Sequence, residues 1–312
     1  MRQSQFTNFD QFVESNAMID ARFIPTTGGQ MLFREEILPT GQCLIQRAYT
    51  NTGFIAEGSG SSDYYTFYVP LQAGTLVSSG NTMTEDAISV NEPGAEFCVN
   101  VSDKGSWQLF AVPKHTIEKR YGLERRTRRW RYSVRNQRLL ADRFRVYVAQ
   151  AISAISQRPT METSPAIRMM EADLVSLLAP LLQVEIGRKG RPAEEIECSY
   201  RTKATVLKKS IEYIRELKNY PIHASDLAIA SGVSERTLRR VFQEFYGVGP
   251  RTFILARQLE KVHQDLRQSN PAEATVTDVL TRWGVWEFGR FSGRYKQYYG
   301  VLPSQTLHSI CL

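Results

Sequence analysis

The chain has little of what metal or nucleophilic catalysis requires. Its histidines are few and scattered, and three of the four fall in the last third of the sequence: His115, His223, His263 and His308. A transition-metal site needs imidazole and carboxylate ligands close together. No Ser-His-Asp or Cys-His arrangement stands out either. We therefore predict no catalytic residues, no metal and no cofactor, and a metalloenzyme is only a distant alternative.

Paired cysteines and long apolar runs are also missing. The four cysteines lie far apart, without a CxxC pair, at Cys43, Cys98, Cys198 and Cys311. This spacing is typical of reduced thiols in a cytoplasmic protein. No apolar run approaches the roughly 18 residues of a membrane span. The N-terminus MRQSQFTNFDQFVES has no signal-peptide core. We expect a cytoplasmic protein with no membrane partner.

The positive charge is concentrated in one part of the chain. The net charge is +7. Residues 201–312 hold about 17 Lys and Arg against about 10 Asp and Glu, whereas residues 1–200 hold about 22 of each. A basic module attached to a neutral region is typical of nucleic-acid binding. A basic surface that only favours solubility is the alternative, which charge by itself leaves open.

The same helical pattern occurs twice between residues 221 and 307. The first copy is IHASDLAIASGVSERTLRRVFQEFYGVGP and the second is TVTDVLTRWGVWEFGRFSGRYKQYYGVLP. Each predicts a short helix, a turn at glycine and a basic amphipathic helix, with PRTFILARQLEKVHQDLRQS as one long connecting helix. Two helix-turn-helix units joined in this way can place recognition helices in successive major-groove segments of double-stranded DNA. We predict an all-α DNA-binding domain over residues 203–312.

Helical periodicity separates an inward from an outward face in both predicted recognition helices. Leu238, Val241, Phe242 and Phe245 are expected to be buried in the first helix, and Phe288, Phe291, Tyr295 and Tyr298 in the second. We expect base contacts from Arg236, Arg239 and Arg290, and phosphate contacts from Arg294 and Lys296. A phosphate contact or a solvated side chain is the alternative for any single arginine. The predicted DNA-binding residues are Ser234, Glu235, Arg236, Arg239, Arg240, Gly289, Arg290, Arg294 and Lys296.

Two glycines interrupt the second recognition helix, although glycine costs nearly 1 kcal/mol against alanine inside a helix. Gly289 and Gly293 are explained most simply if the DNA backbone or a neighbouring helix comes too close for a side chain. Gly232, by contrast, is expected at a left-handed turn in the first unit. Ser234 is expected to cap the helix that follows.

The first part of the chain predicts a different architecture. Residues 1–20 are expected to be a helix or lead-in, and about 30–120 contain short strand-like runs separated by turn residues. These runs predict an antiparallel jelly-roll or cupin-like β cup. Two amphipathic helices within about 136–184 either form a self-association face or only cover the sheet. Overall we predict an α+β fold with an effector-sensing and dimerisation domain at 1–185 and a linker at 186–202.

The C-terminal motifs closely resemble the AraC/XylS family of bacterial transcriptional regulators. The diagnostic stretch is WGVWEFGRFSGRYKQYYGVLPSQTL, with Gly284, Phe291, Tyr295, Lys296, Tyr299-Gly300 and Pro303-Ser304 at matching positions. Val285 stands where the family usually has Phe, and Gly293 where a phosphate-contacting Arg is common. The resemblance implies a sequence-specific regulator with a cup-shaped sensing and dimerisation domain. We expect a homodimer that is located at the bacterial nucleoid when bound to DNA. Activation of transcription, with RNA polymerase as a partner, is favoured, and repression is the alternative.

A second motif set concerns the effector. The segment RYGLERRTRRWRYSVRNQR is rich in arginine and contains two RxxxR pairs, and an NxSxxG pattern precedes it. Together they resemble, in reversed order, the cyclic-di-GMP signature of PilZ domains. The predicted effector-binding residues are Asn100, Ser102, Gly105, Arg125, Arg129, Arg131 and Arg135.

Several alternatives to this effector prediction remain open. A solvated helix face, surface salt bridges or an additional DNA contact would each explain the arginines equally simply. An uncharged or carboxylate metabolite inside the cup, or control through expression level alone, is also compatible with the sequence. The distant alternative is a cupin-type metalloenzyme with an interaction tail.

Overall fold

Strands dominate the N-terminal region of the computed structural model, which describes residues 1–16, 20–78, 80–121, 131–158, 164–182, 193–216 and 221–309. All strand pairs found among these residues are antiparallel. The strands are β1 Arg2–Phe6, β2 Asp20–Pro25, β3 Phe33–Thr40, β4 Cys43–Thr50, β5 Phe54–Ser59, β6 Tyr64–Pro70, β7 Leu76–Ser78, β8 Asn81–Thr82, β9 Ile88–Asn91, β10 Glu96–Val101, β11 Ser106–Pro113 and β12 Arg131–Val134.

Helices surround the strands and form the whole described C-terminal region. They are α1 Phe9–Ser15, α2 Lys114–Tyr121, α3 Arg138–Gln157, α4 Pro165–Leu178, α5 Ala193–Glu216, α6 Ala224–Ser231, α7 Glu235–Tyr246, α8 Pro250–Gln268, α9 Val276–Arg282, α10 Phe288–Tyr299 and α11 Pro303–His308. The predicted α+β class is therefore confirmed. No helix within the described ranges is long and apolar enough to cross a membrane.

The strands form two sheets. Within the described residues, the seven-stranded sheet has the order β1-β3-β4-β11-β6-β9-β12 and the five-stranded sheet the order β2-β5-β10-β7-β8. Aromatic side chains from both sheets and from α1 meet between them. The ring of Phe12 lies 4.4 Å from that of Phe33 and 5.4 Å from that of Phe54. Trp107 and Phe23 complete the cluster. Side chains therefore fill this part of the space between the sheets. The two-sheet region, β1 to β12, is called the cup below.

Helices α3 and α4 cover the outer face of the seven-stranded sheet. Phe144 and Leu174 are fully buried against sheet residues such as Ile45, Phe67 and Phe110. The covering role that the sequence left open is thus observed. Self-association through the outward faces of these helices stays a prediction.

Two boundaries differ from the sequence prediction. Residues 1–20 do not form one helix, because β1 pairs along the edge of β3 and only the seven residues of α1 are helical, starting after the Asn8 cap. Within the predicted linker 186–202, α5 already begins at Ala193. Its first residues, AEEIE, are mostly good helix formers and follow Pro192 in the sequence. Residues 186–192 lie outside the described ranges.

Candidate nucleic-acid interface

The first helix-turn-helix unit consists of α6 and α7. Gly232 ends α6 with φ of 69°, a left-handed conformation in which a side chain would be strained. Ser234 then caps α7, its Oγ accepting a hydrogen bond from the backbone N–H of Thr237 at 3.2 Å. Both local predictions are confirmed, and the turn that orients the recognition helix is defined by them.

The two faces of α7 separate cleanly. Leu238, Val241, Phe242 and Phe245 are buried, as predicted. Exposed on the other face are Glu235, Arg236, Arg239 and Arg240. Arg240 lies 3.9 Å from Glu244. Among the described residues, neither Arg236 nor Arg239 is in an ion pair, so both guanidiniums are available for an external anion.

A single long helix connects the two units. Helix α8 buries Phe253, Leu259 and Val262 completely. It begins at Pro250, a residue that suits the first position of a helix, and runs for 19 residues without interruption. At about 1.5 Å per residue, a helix of this size is roughly 28 Å long.

The second unit has a different start to its recognition helix. Helix α9 is held by a reciprocal capping box, in which Thr275 N donates to Asp278 Oδ2 at 2.8 Å and Asp278 N donates to Thr275 Oγ1 at 3.2 Å. The hydrogen bond from the Thr275 side chain is the main reason why the pKa of Asp278 is lowered. Gly284 makes the turn with φ of 67°. Helix α10 then begins at Phe288 without any side-chain cap.

The buried face of α10 differs in part from the prediction. Phe291 and Tyr295 are buried as expected. Phe288 is 36% exposed and Tyr298 is only half-buried, whereas Tyr299, which was not predicted, is buried. The reason is geometric. The buried face of α10 is formed by residues at i+4 spacing, which are Phe291, Tyr295 and Tyr299. Phe288 and Tyr298 lie at its margins.

The predicted contact residues of α10 are accessible. Gly289, Arg290 and Lys296 are exposed and Arg294 is half-exposed. The guanidinium of Arg290 lies 3.2 Å from the carboxylate of Glu287. A Cβ added at Gly289 or Gly293 would have no atom within 4 Å. A neighbouring helix therefore does not explain these glycines, and that alternative is wrong.

Both recognition helices contact the cup near their C-terminal ends. At the end of α10, the carbonyl of Gln297 accepts a hydrogen bond from Gly29 N at 2.7 Å. At the end of α7, Phe245 lies against Gly80, where an added Cβ would be 2.9 Å from its ring. Asn100 of β10 packs against Gly247, the left-handed residue that ends α7. The N-terminal parts of α7 and α10 stay exposed.

A network of four charged groups joins the connector to the cup. Arg257 of α8, only 3% exposed, lies 2.9 Å from Glu57 of β5 and 3.2 Å from Glu260. Arg22 of β2 lies 3.3 Å from Glu260 and 3.9 Å from Glu57. Each carboxylate therefore sits between two guanidiniums. Such alternation offsets much of the cost of removing the charges from water.

A histidine on the same helix forms a second junction. His263 Nε2 is 2.6 Å from Asp10 Oδ1, and its Nδ1 is 2.5 Å from the hydroxyl of Tyr295. Its ring stacks on Tyr299 with centroids 4.0 Å apart. Burial raises the pKa of Tyr295 above its ordinary range, so this phenol stays neutral. Nearby, Arg267 pairs with Glu14 at 2.7 Å. Sequence reasoning missed both junctions, because their partners are far apart in the chain.

The predicted effector residues are in unlike surroundings. Asn100 is buried against the end of α7, and Ser102 and Gly105 belong to the turn between β10 and β11, where Gly105 N donates to Ser102 O. Arg135 contacts Asn81 at 3.4 Å. Arg125 and Arg129 lie outside the described residues, and the structure describes Arg131 only through its backbone in β12.

Metal-binding geometry is not found in the described residues. No group of three or more His, Cys, Asp or Glu there is arranged to hold an ion. His115, the single histidine of the predicted cup, shares a hydrogen bond with Gln42 at 2.9 Å.

Comparison with known proteins identifies the C-terminal region. A family model described as a helix-turn-helix domain matches residues 227–309. The chain is 32% identical over 105 residues to the probable thc operon regulatory protein of Rhodococcus erythropolis, a match covering 34% of this chain and 32% of that protein. Residues 227–309 form a helix-turn-helix domain of the AraC type.

Other proteins similar to this chain are named as transcriptional regulators. The XylDLEGF operon transcriptional activator of Pseudomonas putida is 26% identical over 139 residues, which are 45% of this chain and 39% of that protein. A probable AraC family transcriptional regulator from Rhodopseudomonas palustris is a solved structure with 28% identity, covering 34% of this chain and 96% of that one, with a TM-score of 0.31. The AraC-like transcriptional activator CuxR covers 90% of this chain at 12% identity and a TM-score of 0.44. The chain spans between a third and two fifths of the length of the first curated relatives.

Proposed function

We propose that this protein is a sequence-specific regulator of transcription that binds double-stranded DNA through both units of its AraC-type domain. One observation carries the proposal. The N-terminal parts of both recognition helices are exposed and basic, whereas their C-terminal ends contact the cup. Helix-turn-helix proteins read base edges with the N-terminal residues of the recognition helix.

The length of the connector supports binding of both units to one DNA face. Its length of about 28 Å is comparable to the roughly 34 Å that separates successive major-groove segments. The ion pairs of Arg257 and the hydrogen bonds of His263 hold it against the cup. The relative position of the two recognition helices is therefore defined before DNA binds, which reduces the entropy lost on binding.

We assign base contacts to Arg236 and Arg239 in the first unit and to Arg290 in the second. Arg240, Arg294 and Lys296 are assigned to phosphates. A bidentate arginine on guanine contributes about 1–3 kcal/mol of discrimination, whereas phosphate contacts add affinity without sequence preference.

The test begins with selection of bound duplexes from a random library by the full chain. We expect a defined sequence, with an affinity that falls steeply as salt rises. Arg236→Ala and Arg290→Ala should each relax preference at separate positions of that sequence. Arg143→Ala, an exposed arginine on α3, is the matched control and should leave the preference unchanged. If no sequence is enriched over random competitor, the proposed function is wrong.

The N-terminal region is assigned effector sensing and dimerisation, with RNA polymerase as the partner in activation. The Arg-rich segment makes an anionic nucleotide such as cyclic-di-GMP our first effector candidate. Calorimetric titration with cyclic-di-GMP and with acidic metabolites tests this. A stoichiometry of one cyclic-di-GMP per subunit, together with loss of binding in Arg129→Ala or Arg135→Ala, would support this effector candidate. Full binding in both variants would exclude these arginines as the site.

A further inference from the structure

The most exposed aromatic side chain of the AraC-type domain has no assigned role. Trp286 is 70% exposed and lies two residues before α10 begins. Phe288, the first residue of α10, is 36% exposed. In the described part of the chain, Trp286 takes part in no ring stacking and no side-chain hydrogen bond. An indole left in water has a strong tendency to bury its surface when a partner arrives.

The first unit has polar groups at the corresponding place. There Ser234 caps α7 and is followed by Glu235 and Arg236. In the second unit the turn glycine Gly284 is followed by Val285 and Trp286, and α10 lacks a side-chain cap. The two recognition helices share their architecture, but the chemistry of their leading ends differs.

We propose that Trp286, together with Phe288, reads thymine methyl groups in the major groove. This inference rests on the proposed function. Thymine is the base that presents a methyl group in that groove, and apolar side chains recognise it there. The first unit would then select its bases by charged hydrogen bonds and the second largely by apolar contact.

Charge indicates that the occupant is DNA rather than another protein. Arg290, Arg294 and Lys296 follow the aromatic pair, and Glu287, which pairs with Arg290, is the one acidic residue between positions 286 and 296. Three positive charges against one negative charge leave this segment at +2. Phosphates on either side of the groove would be close to these guanidiniums while the indole meets base edges. The first turn of α10 also includes Gly289, with open space where a side chain would be. The backbone can therefore approach the bases closely beside Trp286.

The test uses the selected duplex and the full chain. Each thymine in the part of the site read by the second unit, identified as the part whose preference relaxes in Arg290→Ala, is replaced by deoxyuridine, which lacks only the methyl group. Fluorescence anisotropy gives Kd for each duplex. We expect a loss of about fourfold at one or two thymines, the ratio for one apolar carbon removed from contact. With Trp286→Ala the same replacements should change Kd by less than twofold.

Two further variants distinguish a loss of thymine methyl recognition from a general loss of folding or DNA binding. Leu139→Ala removes a side chain that is 69% exposed on α3, and it should retain the full response to the missing methyl groups. Trp286→Phe should recover part of the response. Thermal unfolding of each variant should match the parent, because the altered side chains lie mostly in solvent.

The outcomes distinguish this inference from the proposed function. If a sequence is selected but uracil and thymine bind equally well at every position, or the loss is the same in Trp286→Ala as in the parent, Trp286 does not read thymine. If no sequence is selected, the regulator proposal fails and this inference with it.

Discussion

Replacement of Arg257 is expected to weaken the whole molecule, because this guanidinium pairs with one buried and one half-buried carboxylate. Arg257 is 3% exposed and lies within ion-pair distance of Glu57 and Glu260. In Arg257→Met the volume is nearly kept, but the two acidic groups lose their nearest cation. Breaking a buried ion pair from one side costs about 3–5 kcal/mol. Because Arg22 still lies beside both carboxylates, we expect the lower end, about 3 kcal/mol. At about 2–4 °C per kcal/mol, Tm should fall by roughly 6–12 °C.

The measurement is urea unfolding followed by circular dichroism, with thermal unfolding alongside. Arg251→Ala is the matched control, since Arg251 is exposed on the same helix, and its effect should stay within about 0.5 kcal/mol. Adding Glu57→Leu to Arg257→Met should recover part of the loss, because it removes a half-buried carboxylate whose remaining cation, Arg22, lies 3.9 Å away. A change below about 1 kcal/mol in Arg257→Met would refute the reasoning, since the network would then contribute no more than a surface ion pair.

Three further predictions concern local features. Gly289→Ala should raise the free energy of unfolding of the free protein by up to about 1 kcal/mol, because the site has open space and alanine is the better helix former; a destabilised variant would contradict this. Asp278 has a pKa lowered in the fold, so its capping contribution is full above its ordinary pKa and is lost as pH falls through the lowered value. Asp278→Asn should therefore be less stable near neutral pH, with the difference vanishing in acid, and a gap independent of pH would argue against the cap. Burial raises the pKa of the Cys43 thiol above its ordinary range, with the carboxylate of Glu171 adding to the effect. Native protein and Cys43→Ser should consume equal amounts of Ellman's reagent at pH 8 and differ only in denaturant; a difference in the native state would show an accessible thiol.

The aromatic side chains between the two sheets restrict where an effector could bind. Phe12, Phe33, Phe54 and Trp107 occupy space between the sheets. A cleft of about 560 Å³ instead lies between the cup and the second unit, with Met31, Lys296 and Tyr299 in its lining. An effector that binds between the sheets in this part of the cup would have to displace these rings.

Local features of this protein could be predicted from the sequence because they depend on neighbours in the chain. The turns at Gly232 and Gly284 follow from the left-handed backbone that glycine tolerates. The Ser234 cap follows from one hydroxyl placed before a helix, and the buried stripe of α7 follows from the 3.6-residue period. The repetition of one pattern then indicated two DNA-reading units. None of these inferences requires knowing which helices and strands pack against each other.

Only the tertiary structure shows which residues that are distant in the sequence contact each other. The contacts of Arg257 with Glu57, of His263 with Asp10 and of Asn100 with Gly247 join segments separated by well over a hundred residues. No periodicity encodes such a pairing, because each partner by itself is an ordinary polar residue. The exposure of Trp286 is likewise set by which neighbours are absent around it among the described residues. Burial and pairing are properties of the packed molecule, whereas caps, turns and stripes are properties of the chain.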